Sequence, residues 1–248
     1  MPSLPESLAT PEAKAPYVRR LFATIADRYD LITRLLSYGR DAAWKRRLVA
    51  MSEAGHADRA LDLACGTGDI AFGLAERGAR VTGLDLTIRM LQLARAKMPG
   101  RPRVAYLAGD MMTLPFGDAQ FDLVTAGYGL RNVPRLEPAI AEIHRVLRPG
   151  GRLLSLDFNR PANPVKRGIY LVYLTAVGST LGWILHRDPD TYRYIPESIK
   201  RYPGADGVAS ILERSGFQDC GVVSLLGGFM AINVARKAAA SVRLQAEG

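Results

Sequence analysis

The chain has 248 residues, 48% of them hydrophobic and 23% charged, values that exclude wholesale disorder and a fibrous repeat and leave room for one large or two small domains. Its 33 Lys and Arg against 24 Asp and Glu give a net charge of +9, which favours anionic partners without choosing among nucleic acid, anionic lipid and an acidic small molecule. Two cysteines, Cys65 and Cys220, make no disulfide framework and fit a reducing, cytoplasmic compartment.

Residues 1–16 hold four prolines and three charges and no apolar core of a signal peptide, so they read as a loose tail. From Tyr17 to Ala54, Leu21, Ile25, Leu31, Leu35, Trp44 and Leu48 recur at roughly helical spacing with a break at Gly39, which predicts a helical cap. Strands and helices then alternate. A strand at 60–64 runs into Gly66 and Gly68, and a helix over 70–77 stops at Gly78. A strand at 80–84 is closed by Asp85, and a helix over 90–98 ends before Pro99-Gly100. Strands at 104–107 and 121–125, a helix over 136–147, a tight turn at Pro149-Gly150-Gly151 and a strand at 152–158 follow. Such alternation predicts a parallel sheet with helices on both faces. A helix over 207–215 and strands at 222–225 and 230–235, linked through Gly227-Gly228, predict an antiparallel hairpin at the sheet edge.

Between these parts, 18 residues from Gly168 to Leu185 carry no charge, the lower limit of a membrane span. Gly168, Gly178, Ser179, Thr180 and Gly182 dilute that stretch, so a buried pair of core helices is preferred to a span. A third reading is an apolar lid that meets a greasy substrate or a membrane surface, with Tyr170, Tyr173, Val177, Leu181 and Ile184 near one face.

The residues that carry chemistry stand at successive strand ends. Asp62 and the loop Gly66-Thr67-Gly68 join the first strand to a helix whose N-terminus offers free N–H donors, where open α/β sheets bind ligands. Asp85, followed by Leu86, ends the second strand, where an acid accepts both ribose hydroxyls of a nucleoside. Asp110 ends the third, beside Met111 and Met112, whose thioethers suit an adenine ring. Singly, each has a plain alternative: a common turn, a helix N-cap, a loop acid. Gly66 to Ala71 also satisfies G-x-G-x-x-A, with Asp85 19 residues on, so a nicotinamide dinucleotide competes with S-adenosylmethionine. The extra acid at Asp110 favours the latter.

Over residues 17–237 the chain resembles the quinone-biosynthesis C-methyltransferases of the UbiE/MenG type, within the class I S-adenosylmethionine-dependent methyltransferases. The resemblance rests on Tyr29-Asp30, Ser37-Tyr38-Gly39, Trp44-Lys45, Leu61 to Ala71, Gly83-Leu84-Asp85 and Leu114-Pro115-Phe116. It extends through Gly127 to Val133, Arg145 to Gly151, Asp190 to Tyr194, Glu197-Ser198-Ile199 and Gly227-Gly228. It implies an α/β Rossmann-like fold with a seven-stranded, mostly parallel sheet and an antiparallel last strand. A single domain over 17–237 comprises a helical cap (17–58), a cofactor-binding core (59–160), a helical lid insertion (161–200) and a closing helix and hairpin (201–237). A C-terminal tail (238–248) follows.

The cofactor implied is S-adenosyl-L-methionine, on Asp62, Gly66, Thr67, Gly68, Asp85, Leu86, Asp110, Met111 and Gly127. At Gly127 relatives often carry Ser, so a side-chain contact is missing there. The reaction implied is methylation of a polyprenyl quinol ring carbon in menaquinone or ubiquinone biosynthesis, by a cytoplasmic enzyme leaning on the inner face of the membrane, with a homodimer admitted. Such chemistry needs an ionised ring hydroxyl and a cation to stabilise it. Arg131 suits the cation, Asn132 a water-holding role and Tyr29 a donor from the cap, while Tyr170, Tyr173 and Tyr192 belong to the substrate side. A purely structural Arg131 would pair with an acid such as Glu137. No His or Cys cluster has metal spacing, so no metal is expected. An RNA methyltransferase is disfavoured, because Ala126-Gly127-Tyr128-Gly129 stands where an Asn/Asp-Pro-Pro-aromatic motif belongs. No nucleic-acid partner is therefore expected. A non-catalytic membrane-binding module is a further rival.

Overall fold

The structure, a computed structural model, describes residues 4–239. Four helices form the cap: α1 (Leu4–Ser7), α2 (Pro11–Ile25), α3 (Tyr29–Leu36) and α4 (Asp41–Met51). The alternating core runs β1 (Arg59–Leu63), α5 (Asp69–Glu76), β2 (Arg80–Asp85), α6 (Ile88–Ala96), β3 (Ala105–Ala108), β4 (Phe121–Gly127), α7 (Leu136–Val146) and β5 (Leu147–Phe158). Helices α8 (Pro164–His186), α9 (Asp190–Arg201) and α10 (Gly204–Arg214) precede β6 (Phe217–Leu225) and β7 (Met230–Lys237).

Among the described residues the strands form one seven-stranded sheet in the order β3-β2-β1-β4-β5-β7-β6. β7 lies antiparallel between β5 and β6, so the last strand is antiparallel as expected and β6 takes the edge. Strand order reverses between β1 and β4, the crevice where such sheets bind ligands. Leu61, Leu63, Val124 and Ile140 fill the core on one face, and Leu48, Ile70, Phe72 and Ile232 on the other. Pro149-Gly150-Gly151 makes no turn between elements. It is an irregularity inside β5, where pairing steps from Phe121↔Leu147 to Leu123↔Arg152 and β5 bulges.

Residues 4–16 are not a loose tail. Thr10 caps α2 by accepting the Ala13 N–H at 3.2 Å, and Pro11 sits in the first turn, where a missing N–H costs nothing. Leu4, Leu8 and Val18 are buried in one cluster with Tyr192 and Tyr194 of α9. Of the expected C-terminal tail, residues 240–248 lie outside the described residues.

Residues 164–186 make one helix, capped by Asn163, rather than a buried pair. By length and composition α8 could cross a membrane, and only 22% of an 18-residue apolar stretch of it is buried, too little for the core helices expected there. Its buried face is Tyr170, Leu174, Gly178 and Gly182, turned from the expected one, and Ile184 is exposed. Val165, Ile169, Val172 and Trp183 also point outward, each at least 67% exposed. The glycines do more than dilute hydrophobicity. A Cβ on Gly182 would lie 2.4 Å from the Asp188 carbonyl, and one on Gly178 3.0 Å from that of Tyr192, so both let α9 come close. Gly182→Val should therefore cost about 1–3 kcal/mol in urea unfolding. Gly168→Ala, on the same helix with nothing within 4 Å of its Cβ position, should stabilise by ~0.5–1 kcal/mol.

Candidate active site

The carboxyl ends of β1, β2, β3 and β4 open into one cavity lined by Gly66, Asp85, Leu86, Asp110, Met111 and Gly127. Asp85 is buried and accepts the Gly66 and Thr87 N–H groups at 2.8 Å each, one on each oxygen. Burial raises its pKa, and each oxygen keeps a lone pair for a ligand. Asp110 accepts the Met112 N–H at 2.9 Å, which fixes the turn that brings Met111 to the wall.

A smaller recess adjoins this cavity, lined by Asp62, Gly66, Thr67 and Gly127 among others. Asp62 accepts the Thr125 hydroxyl at 2.7 Å on one oxygen; its other oxygen is buried with no partner. Burial pushes its pKa to about 7. An orphaned buried carboxylate oxygen is costly, and a donor or cation in the recess would remove that cost. Thr67 is tied to the cap, donating to Asp30 at 2.6 Å. Gly68 lines neither space. It turns the chain into α5 at φ +90, and a Cβ there would lie 2.5 Å from the Tyr106 hydroxyl.

A second, largely apolar cavity lies between the cap and α8 and α9. Its walls include Tyr29, Arg131, Asn132, Tyr170, Tyr192 and Tyr194, and it shares Phe22, Tyr29, Tyr128 and Asn132 with the first. Ligands in the two would meet at those four side chains. Tyr29 is held between them, and burial pushes its phenol to about 12. Tyr192 pairs with His186 at 2.8 Å. Tyr173 does not line the cavity; it stacks at 5.6 Å on exposed Tyr38, which does.

Arg131 stands on the short turn Leu130–Asn132 after β4 and is 4% exposed. Its partner is Asp157 at the end of β5, not Glu137. Nε and the backbone N–H each reach one carboxylate oxygen at 3.1 Å, and a second guanidinium nitrogen bonds the Ser198 hydroxyl. Phe158 and Tyr194 cover its faces at 5.1 and 5.8 Å. Asn132 is a brace rather than a free water-holder, since it donates to the Tyr128 carbonyl and accepts from the Tyr194 hydroxyl.

The sequence reading missed the contribution of α2. Ala15, Val18, Arg19 and Phe22 wall the first cavity, and Lys14 donates to the Arg131 and Val133 carbonyls at 2.9 and 2.7 Å. Burial lowers the Lys14 pKa to about 8. The signal was present in Thr10-Pro11-Glu12, a capped helix start. Asp157 and Tyr128 had no such signal.

Crevice, strand-end acids and adjoining apolar cavity define a methyltransferase of the Rossmann-like, S-adenosylmethionine-dependent class. A SAM-dependent methyltransferase from Thermotoga maritima shares the fold with a TM-score of 0.66 at 18% identity, covering 89% of this chain and 99% of that one. Residues 10–237 match the ubiE/COQ5 methyltransferase family, and the chain belongs to it. A demethylmenaquinone methyltransferase of Thermus thermophilus is 42% identical over 79% of this chain and 91% of its own length. The ubiquinone/menaquinone biosynthesis C-methyltransferase UbiE of Rubrivivax gelatinosus is 37% identical over 90% and 88%. The dinucleotide reading of the Gly66 loop gives way to this membership, and the chain is an S-adenosylmethionine-dependent C-methyltransferase.

Asp157→Asn leaves the Arg131 charge buried without its counter-ion and should cost about 3–5 kcal/mol in urea unfolding. The double variant R131M/D157M, which removes both charges, should recover most of that loss; equal instability of the two proteins would refute the ion-pair argument.

Proposed function

We propose that this enzyme methylates a ring carbon of a polyprenyl quinol of the menaquinone or ubiquinone type, working at the cytoplasmic face of a membrane. The observation that carries this reading is the meeting of a cavity that carries strand-end carboxylates and an apolar aromatic cavity at Phe22, Tyr29, Tyr128 and Asn132. Asp85 accepts the ribose hydroxyls, Asp110 takes the adenine amine and Met111 packs the ring. The unpaired oxygen of Asp62 suits the ammonium group, with Gly66, Thr67 and Gly127 around it. S-adenosylmethionine, when bound, supplies the electrophilic methyl.

Arg131 cannot give up its proton, and its fixed charge stabilises the ring oxygen as it becomes negative. Asp157 and Ser198 hold that charge in place, so no reorganisation is needed during the reaction. Tyr29 donates from the cap, and Tyr170 and Tyr192 wall the ring. The isoprenoid tail leaves past the Tyr38–Tyr173 stack, between α3 and α8.

The cofactor and charge roles separate in a direct assay on demethylmenaquinol and its benzoquinol counterpart. Asp85→Ala should weaken S-adenosylhomocysteine binding more than tenfold by calorimetry, since hydrogen bonds to a charged group contribute roughly 1.5–3 kcal/mol each. R131M/D157M should bind that product normally and lose at least a hundredfold in turnover. If neither quinol is methylated by the wild type, the substrate assignment is wrong.

The uncovered stripe of α8 continues onto exposed Leu31, Leu35 and Tyr38, with Arg34, Arg40, Lys166 and Arg187 exposed around it. Apolar area bordered by cations suits an anionic bilayer surface. Sedimentation with anionic vesicles should pull down the wild type, and Val172→Glu or Trp183→Glu should abolish that while sparing cofactor binding. A dimer in solution that the same variants split would assign the stripe to a second copy of the chain instead.

A further inference from the structure

We propose that Tyr128 and Asp41 form the proton-accepting pair of this active site: Tyr128 takes the proton of the ring hydroxyl beside the methylated carbon and passes its own to Asp41. This rests on the quinol reading above and identifies the group that ionises the substrate.

Tyr128 follows the last residue of β4 and lines both cavities where they meet. Its φ is +58, a conformation that a bulky residue rarely adopts and that the surrounding packing must enforce. The phenol donates to Asp41 Oδ1 at 2.6 Å. With its one proton committed to the carboxylate, the phenol oxygen is left as an acceptor, which is what an arriving ring hydroxyl requires. Ser37, Tyr38 and Trp44, close to Asp41 in the chain, line the apolar cavity together with Tyr128, and Asp41 is buried behind them.

A cation backs the carboxylate. Its other oxygen meets Lys45 Nζ at 2.7 Å, and Lys45 also contacts Asp69 at 2.9 Å. Burial opposes the Lys45 charge, but the two carboxylates outweigh it and hold the ammonium protonated. Burial likewise lifts the Tyr128 phenol well above its ordinary range, so it acts as a relay and not as a standing phenolate. Three further phenols of this cavity are otherwise engaged, Tyr194 with Asn132, Tyr192 with His186 and Tyr170 with the Phe229 carbonyl, while Tyr29, with no carboxylate bonded to its hydroxyl, serves as a donor. Asp157 is bound to Arg131.

The step balances. As the hydroxyl proton moves to Tyr128 and the phenol proton to Asp41, the oxygen electron pair flows into the ring. The ring carbon forms its bond to the methyl, and the pair of the broken C–S bond stays on sulfur. The hydrogen on the methylated carbon then leaves as a proton to water, and the proton stored on Asp41 returns through Tyr128 to the ring oxygen. One proton is released per turnover.

The test uses D41N and Y128F in the full-length enzyme, with S-adenosylhomocysteine affinity as the check on folding. Each should lose about a hundredfold or more in kcat on the quinol, within the range for general-base catalysis, with KM little changed. On a chlorinated 4-methoxy-1-naphthol that is already ionised at the assay pH, the loss should shrink below tenfold. Equal losses on both substrates would overturn the proposal. Failure of the wild type to methylate any quinol would instead remove the reading on which it rests.

Discussion

A guanidinium taken out of water is tolerable only if something shares its charge, and the organisation of this active site follows from how Arg131 meets that demand. Asp157 supplies the counter-charge from β5, Ser198 an acceptor from α9, and Phe158 and Tyr194 the flat faces on either side. The carbonyls of Arg131 and Val133 in turn hold Lys14 of α2. Cap, sheet and α9 are thereby fastened to one loop, and the walls of the second cavity are positioned relative to the same fixed charge.

Around this point the molecule keeps two kinds of surroundings apart. Toward β1 to β3 the cavity presents carboxylates already half-satisfied by backbone donors, suited to hydroxyls and amines. Toward α3, α8 and α9 it presents rings and aliphatic chains, suited to a greasy ring. The proposed transfer to a quinol ring brings a charged donor against an apolar acceptor, and the residues common to both cavities are where the two environments touch.

The sheet and the cofactor side could be read from the sequence because their signals are local. Glycines after an apolar run, and acids at three successive strand ends, fix position by spacing alone. Three other features depend on proximity in space. The outward face of α8 was mis-phased because an 18-residue stretch without charge offers no polar side to orient it. Residues 4–16 differ from the expected tail because the three prolines there resemble a breaker signal until Pro11 is recognised as a first-turn residue behind Thr10. Asp41 and Tyr128, 87 residues apart, and Arg131 and Asp157, 26 apart, are single letters with no periodicity to link them.

The attachment of α2 has a consequence for how the two cavities depend on each other. Ala15, Val18, Arg19 and Phe22 close the nucleoside cavity from outside, yet the segment carrying them belongs to no strand of the sheet. It is fastened near its start by Lys14 and the exposed Glu12–Arg135 pair, and along its length by Val18, Leu21 and Ile25, which are buried in one cluster with Tyr192 and Tyr194 of α9. A change that loosens α9 is therefore transmitted through α2 to the outer wall of the first cavity as well as to the second. The N-terminal segment is a tie between the two, one face toward the strand ends and the other in the apolar cluster of α9.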